Sequence, residues 1–338
     1  MIKKTLIIVP HQDDELNVAA SLLSYFITES ITITVCFVTN GDYDGEQEIR
    51  LEEAKRVAKL FYNWKIIYLG YGDGGYLGEL YKTEDFDLVV KSPANHTETY
   101  GVKDFNDFHF EKYGCHATYT RNNIVSDLKD VILQEKADLI LCVDNDEHPD
   151  HKLVSESFDN AIKQVINKTE YSPLILKKFA YLGCWYGAND YFNRPMIQTN
   201  CVTTVKHDES WDISNDLWQK RIRFEVSQKD YPLNFWKSKI FKAYKCYKSQ
   251  KGGLFFFSAV NSDAVYWFYD TRNKNYELSA DFPINETPFL LVDESNNEKT
   301  KEKRNFKISI YICRYLFKLY ELNIRIYSKL KRMTKHGF

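Results

Sequence analysis

Thr5-Leu-Ile-Ile-Val9 runs without a break into Pro10-His-Gln-Asp-Asp-Glu15, so a short apolar strand carries an imidazole and three carboxylates at its end. Burying such groups unpaired is costly, so they must reach water, a metal or a ligand. Any fold open to this chain has to place that strand end at a cleft. A second apolar run, Ala137-Asp-Leu-Ile-Leu-Cys-Val143, empties in the same way into Asp144-Asn-Asp-Glu-His-Pro-Asp-His151. Two residues separate His11 from Asp14 and His148 from His151, a spacing that lets a tight turn or first helical turn aim each pair at one point. A catalytic zinc takes three nitrogen or oxygen ligands and keeps a position for water. His11, Asp14 and His151 supply that count for one Zn²⁺ per chain, although the same donors suit other divalent metals.

The intervening sequence alternates between the two regular periods. Leu16 to Ile27 is spaced as a helix, Ile31 to Thr39 as a strand, Glu46 to Tyr62 as a helix and Lys65 to Leu69 as a strand. A helix from about Thr118 to Glu135 precedes the strand Asp138–Val143, and Pro149 suits the first position of the helix that follows. This order predicts an α/β fold, a Rossmann-like, mostly parallel sheet with helices on both faces, whose ligands gather beyond the carboxyl ends of the strands. Both His/Asp motifs fall at such ends. Further along, strands are expected over 178–186, 196–205, 254–260 and 264–269, and helices over 211–227 and 237–247.

Pro10-His-Gln-Asp-Asp-Glu15 and His148-Pro-Asp-His151, in this order and each after a strand, resemble the motifs of the PIG-L/LmbE family of zinc-dependent N-deacetylases, which hydrolyse the acetamide of N-acetylglucosaminyl compounds. The family usually has Pro where this chain has Gln12, a position that is not a ligand. The helix ending in Lys248-Ser-Gln250 also looks like the family, and the resemblance covers roughly residues 1 to 270. It implies a deacetylase domain over 1–295 and an N-acetylated amino-sugar substrate, free or in a glycoconjugate. It also implies contacts of Arg50 and Asp73 with sugar hydroxyls and a polar residue near Arg121 facing the site.

Amide hydrolysis needs an activated water, charge stabilisation for an oxyanion and a proton for the leaving amine. Asp13, beside the ligand Asp14 but aimed elsewhere, suits a general base that later passes the proton on. His148 is left to stabilise the oxyanion. These roles agree with the family's. Asp150, between the two histidines, is a candidate to hold a ring nitrogen, while Glu15 is read as helix-start electrostatics.

Two rival readings come from other features. Gly70-Tyr-Gly-Asp-Gly-Gly75 is a literal GxGxxG, which would mark a dinucleotide-dependent oxidoreductase if it opened a helix; the residues after it lack a long amphipathic repeat. The polar, aromatic stretch 91–114 suits a substrate-covering loop, and His109 and His116 are expected to be surface or core histidines rather than ligands. From Lys299 to Phe338 twelve Lys or Arg face only Glu302 and Glu321, and apolar residues recur there at helical spacing. Residues 296–338 therefore read as a basic amphipathic helical extension, suited to docking on its own domain, to a partner or to an anionic membrane surface. A membrane-associated, non-catalytic sugar-binding relative is the second rival. The formal charge of -2 over 338 residues gives no global pull toward nucleic acid. Seven scattered cysteines without a CxxC pair, with no export signal or apolar run near the roughly 18 residues of a membrane span, point to the cytoplasm, with the tail able to touch the inner membrane face.

Overall fold

The computed structural model describes residues 2–61, 64–75, 78–180, 219–226, 237–254, 256, 263–292 and the single positions 319 and 322. Strand β1 (Lys4–Val9) is flanked by β2 (Thr32–Thr39) and β4 (Leu139–Val143), with Leu6 opposite Thr34 on one side and Ile140 on the other. With β3 (Lys65–Tyr71), β5 (Leu174–Lys178), β6 (Ile222–Glu225), β7 (Asp263–Asp270) and β8 (Glu277–Ser279), the order is β3-β2-β1-β4-β5-β7-β6, and β8 pairs with β7. Strands β1 to β5 are parallel; β7 runs antiparallel to β5, β6 and β8. Parallel strands covered on both faces need apolar side chains throughout. Leu6 to Val9 and Leu139 to Val143 are accordingly fully buried.

The helices are α1 (Asp14–Ala19), α2 (Leu23–Thr28), α3 (Gln47–Leu60), α4 (Glu79–Lys82), α5 (Phe108–Tyr113), α6 (Arg121–Glu135), α7 (Pro149–Lys168) and α8 (Lys239–Tyr244). A single 3₁₀ turn, Ala20–Leu22, joins α1 to α2. Helix α8 packs against α3, and α6 against α7. The chain winds outward from β1 to β3, crosses back, and winds the other way from β4 to β5. The strand order therefore reverses between β1 and β4, and this switch point is where a doubly wound sheet opens a ligand crevice. Pairing of Ile8 with Cys142 brings the residues that follow each strand to the same edge.

A strand lies at Leu174–Lys178, its register set by pairing of Leu139 with Leu174, while residues 181–186 of the strand expected over 178–186 lie outside the described residues. The helix expected to reach residue 227 does not: Ile222–Glu225 is a strand on β7. Phe224 meets Tyr266, Phe282 and Phe289 at 5.0–6.0 Å between ring centres, and this packing overrides the helical spacing. The stretch 91–114, expected as a substrate-covering loop, is folded against the domain. Bridges Glu98–Thr118 and Val102–Phe105 fold it, and the Tyr100 amide donates to the Gly70 carbonyl. The strands expected over 196–205 and most of 254–260, and nearly all of the basic tail, lie outside the described residues. Among the described residues no helix is long and apolar enough to cross a membrane.

Candidate metal centre and active site

The turn after β1 and the start of α7 converge on Asp14. Its Oδ2 lies 3.1 Å from His11 Nδ1 and 3.1 Å from His151 Nε2. The opposite nitrogen of each ring faces another carboxylate: His11 Nε2 is 3.1 Å from Asp150 Oδ2, and His151 Nδ1 is 2.7 Å from Asp146 Oδ2. A neutral imidazole donates from one nitrogen only. If each ring donates to its outer carboxylate, two nitrogen lone pairs face one carboxylate oxygen, an arrangement that repels unless two protons or a cation lie between them. Bonds of 2.0–2.2 Å around a tetrahedral zinc put neighbouring ligand atoms about 3.3 to 3.6 Å apart, a little wider than both separations. The placing of Asp14 between the two rings thus suits a divalent cation. Among the described residues two sets of donors lie within 4.8 Å of one another, His11 with His148 and His151, and His11 with Asp73 and Asp150; each shares His11 with the expected set, and the first also His151.

The electrostatics follow from this packing. Burial favours the neutral ring of His11, yet Asp73 and hydrogen bonds to Asp14 and Asp150 outweigh it and raise the pKa well above the usual value. His151 behaves likewise: burial opposes the charge, but Asp146 and Asp14 push it up to about 10. The two imidazoles hold Asp14 well below the carboxylate range despite its burial. Asp13 moves the other way: burial and the Asp14 charge push it up to about 7.

Asp13 has φ +119°, a strained conformation for a residue with a side chain. Three contacts hold this turn. The Asp13 amide donates to Glu15 Oε2 at 2.9 Å, Arg50 Nη2 donates to the Gln12 carbonyl at 3.0 Å, and the Gln12 amide group donates to the Thr39 carbonyl at 3.2 Å. Gln12, fully buried, pins the turn by hydrogen bonds where the resembled family has a proline ring. Arg50 also approaches Asp13 Oδ1 at 3.6 Å and Asp73 Oδ2 at 3.9 Å, so both residues expected near sugar hydroxyls border the cluster.

His148 is the N-cap of α7, its Nδ1 accepting from the Asp150 amide at 3.2 Å. That bond leaves the ring proton on Nε2. Burial, with the nearby His151 and His11 charges, pushes the His148 pKa down to about 2, so the ring is neutral. Its centre lies 5.0 Å from that of His11 and 4.7 Å from that of His151.

Asp150 lies against His11 and also accepts from the amides of Gly74 and Gly75, both at 3.1 Å. These are the amides a GxGxxG loop would offer to a pyrophosphate. Here a carboxylate occupies them and α4 is only four residues long, so the glycines serve the His/Asp cluster. Arg121 is not brought to the cluster: its guanidinium donates to the Thr83 carbonyl and to Glu156 and stacks over Phe86. His109 and His116 are turned to Asp127 and Asp107. A cavity of about 580 Å³ at the amino ends of the strands, lined by Phe26, Trp64, Lys4 and Glu135, lies away from this chemistry.

Asp146 escaped the sequence reading. Fully buried, it binds His151 and the amides of His148 and Ala180. Three acidic residues precede His148, and nothing in their order distinguishes the one that turns inward. Glu15 was read as a helix-start charge; it also accepts from Tyr247 at 2.5 Å, and burial pushes its pKa up to about 8.

The chain is thus a mostly parallel α/β sheet with, at its switch point, a cluster of His and Asp side chains that could hold a metal ion. Residues 6–162, just under half of the chain, match the PIG-L family model, described as GlcNAc-PI de-N-acetylase. No curated protein matches the chain. Among solved structures it is similar to the zinc-inhibited form of teicoplanin deacetylase Orf2 (12% identity, TM-score 0.45, covering 82% of this chain and 100% of that one). It is also similar to N,N'-diacetylchitobiose deacetylase from Pyrococcus horikoshii (14%, 0.39, 84% and 88%). A third is GalB, the 4-carboxy-2-hydroxymuconate hydratase from Pseudomonas putida KT2440 (12%, 0.40, 79% and 95%).

Proposed function

We propose that the chain is a metal-dependent N-deacetylase that removes the acetyl group from an N-acetylated amino sugar, free or within a glycoconjugate. The observation that carries this reading is the Asp14 oxygen 3.1 Å from one nitrogen of His11 and one of His151, with Asp13 beside it. His11, Asp14 and His151 would hold Zn²⁺ or a similar cation, and Asp146 and Asp150 fix the orientation of the two rings. His148 is set apart from the ligands by its role as α7 cap and by its donor nitrogen. When bound, the cation acidifies the nucleophilic water and polarises the acetamide carbonyl.

Asp13 takes a proton from the water as its oxygen forms the new bond to the acyl carbon. A group whose pKa is pushed up to about 7 is matched to that task near neutral pH. His148, donating from Nε2, stabilises the negative charge that develops on the acyl oxygen. Asp13 then hands its proton to the amine nitrogen as the carbon–nitrogen bond breaks, leaving acetate and a free amino sugar. Arg50 holds Asp13 from the side and, with Asp73, offers hydrogen bonds to sugar hydroxyls.

The dinucleotide reading loses support because Asp150 fills the glycine-loop amides. Acetate release from a panel of N-acetylhexosamine conjugates tests the proposal, with Asp13→Ala as control. The variant is expected to retain its metal and to lose about 10²–10⁴-fold in turnover. Full activity in Asp13→Ala would remove it from the mechanism, and no release from any conjugate would sink the substrate class.

A further inference from the structure

Two tyrosines of the distant helix α8 region reach the first motif. Tyr247 donates to Glu15 Oε1 at 2.5 Å, while the other Glu15 oxygen accepts from the amide of Asp13 at 2.9 Å. Tyr244 donates to Asn17 Oδ1 at 3.1 Å, while the Asn17 amide group donates to Asp14 Oδ1 at 3.4 Å. Tyr244 and Tyr247 are fully buried, and three residues apart they share one face of the chain. Each chain of bonds ends on a different member of the proposed machinery: one on the backbone of the base, the other on the oxygen of Asp14 that does not face the histidines.

The segment presenting them is itself fixed at both ends. Ser238 caps α8 through the amides of Ile240 and Phe241, and beyond Tyr247 the amides of Lys248 and Ser249 and the Ser249 hydroxyl all donate to Glu53 of α3. The Asp13 amide is thus bonded to a carboxylate that a residue 232 positions away in the chain also holds.

We infer that Tyr247, through Glu15, and Tyr244, through Asn17, are positioning residues for Asp13 and Asp14 respectively, a claim that rests on the proposed deacetylase reading. The consequences differ. Loss of the Tyr247 hydroxyl loosens the base without touching a ligand, whereas loss of the Tyr244 hydroxyl frees the second oxygen of a ligand.

The test compares Tyr247→Phe and Tyr244→Phe with the full-length chain, measuring acetate release and zinc affinity by chelator competition; both variants keep the buried ring. Tyr247→Phe is expected to lower kcat about tenfold with KM and zinc affinity unchanged, and Tyr244→Phe to weaken zinc binding about tenfold, the lower end of effects seen for groups that orient ligands. Glu15→Gln, which keeps an oxygen for the Asp13 amide, should retain more activity than Glu15→Ala. If both tyrosine variants match the wild type in kcat and zinc affinity, even with a lowered Tm, the inference is overturned while the deacetylase reading stands. A wild-type chain that binds no divalent cation overturns both.

Discussion

His148 combines two roles that one substitution separates. Its Nδ1 caps α7 by accepting from the Asp150 amide, and its Nε2 hydrogen is the donor assigned to the oxyanion. Asn at this position keeps an acceptor for the cap but puts no donor where Nε2 stands. His148→Asn should therefore hold Tm close to the wild type and lose about 10²–10³-fold in kcat, as for removal of a single oxyanion donor. Ala should lose the same activity and also about 1 kcal/mol of stability from the missing cap. Steady-state kinetics with thermal melts on the two variants would decide. Equal activity in His148→Asn and wild type would take the oxyanion role away from this ring. The neutral state of the ring also means that the role does not titrate near neutral pH, which leaves Asp13 to set the acidic limb of the rate profile. That limb should lie at or below about 7, because a bound cation favours the ionised carboxylate.

At the scale of elements, the glycine loop after β3 is the clearest case of a motif with a physical meaning other than its usual one. A Cβ on Gly74 would come 2.7 Å from Asp150 Oδ1, and Gly74 carries no positive φ, so the clash alone is at stake. Gly74→Ala should push Asp150 off His11 and weaken metal binding about 10- to 100-fold, read by chelator competition; unchanged affinity would show that the loop does not set the ring. The sequence could show that β1 and β4 both end in clustered His and Asp, because apolar runs emptying into such groups have few other uses. It could show the alternation that makes the sheet parallel. It could not show that Gly74 and Gly75 grip Asp150, that Asp146 rather than Asp144 turns to His151, or that Tyr244 and Tyr247 reach the first motif. These contacts depend on loop conformation and on long-range packing, neither of which leaves a local period. The strand at Ile222–Glu225 was missed for the same reason: aromatic packing across sheet partners decided against the helical spacing. Arg121 meets Glu156 here, and in sequence an arginine at a helix start looks the same whether its fork meets a carboxylate or a substrate.

For the whole molecule, the cluster joins the two halves of the sheet. His11 and Asp14 follow β1, which leads outward to β2 and β3, while His151 follows β4, which leads to β5 and β7. Global unfolding therefore destroys the site, and metal bound to the native chain raises Tm by mass action. The pH dependence has a definite sign. In the metal-free protein burial opposes the His151 charge, but Asp146 and Asp14 raise its pKa to about 10, against about 6.5 for an unfolded histidine. Its contribution to stability is full below about pH 6.5 and is lost as pH rises through about 10. A cation must displace the proton from the nitrogen that faces Asp14, so its binding strengthens over the same interval in which the proton's contribution fades. The difference in Tm between zinc-saturated and chelator-treated protein should therefore widen steadily from about pH 6 to about pH 9, mainly through a falling metal-free Tm and a tightening metal complex. Thermal melts across that range check it. A difference that stays constant would mean that metal binding releases no proton from His151, and would remove that residue from the ligand set.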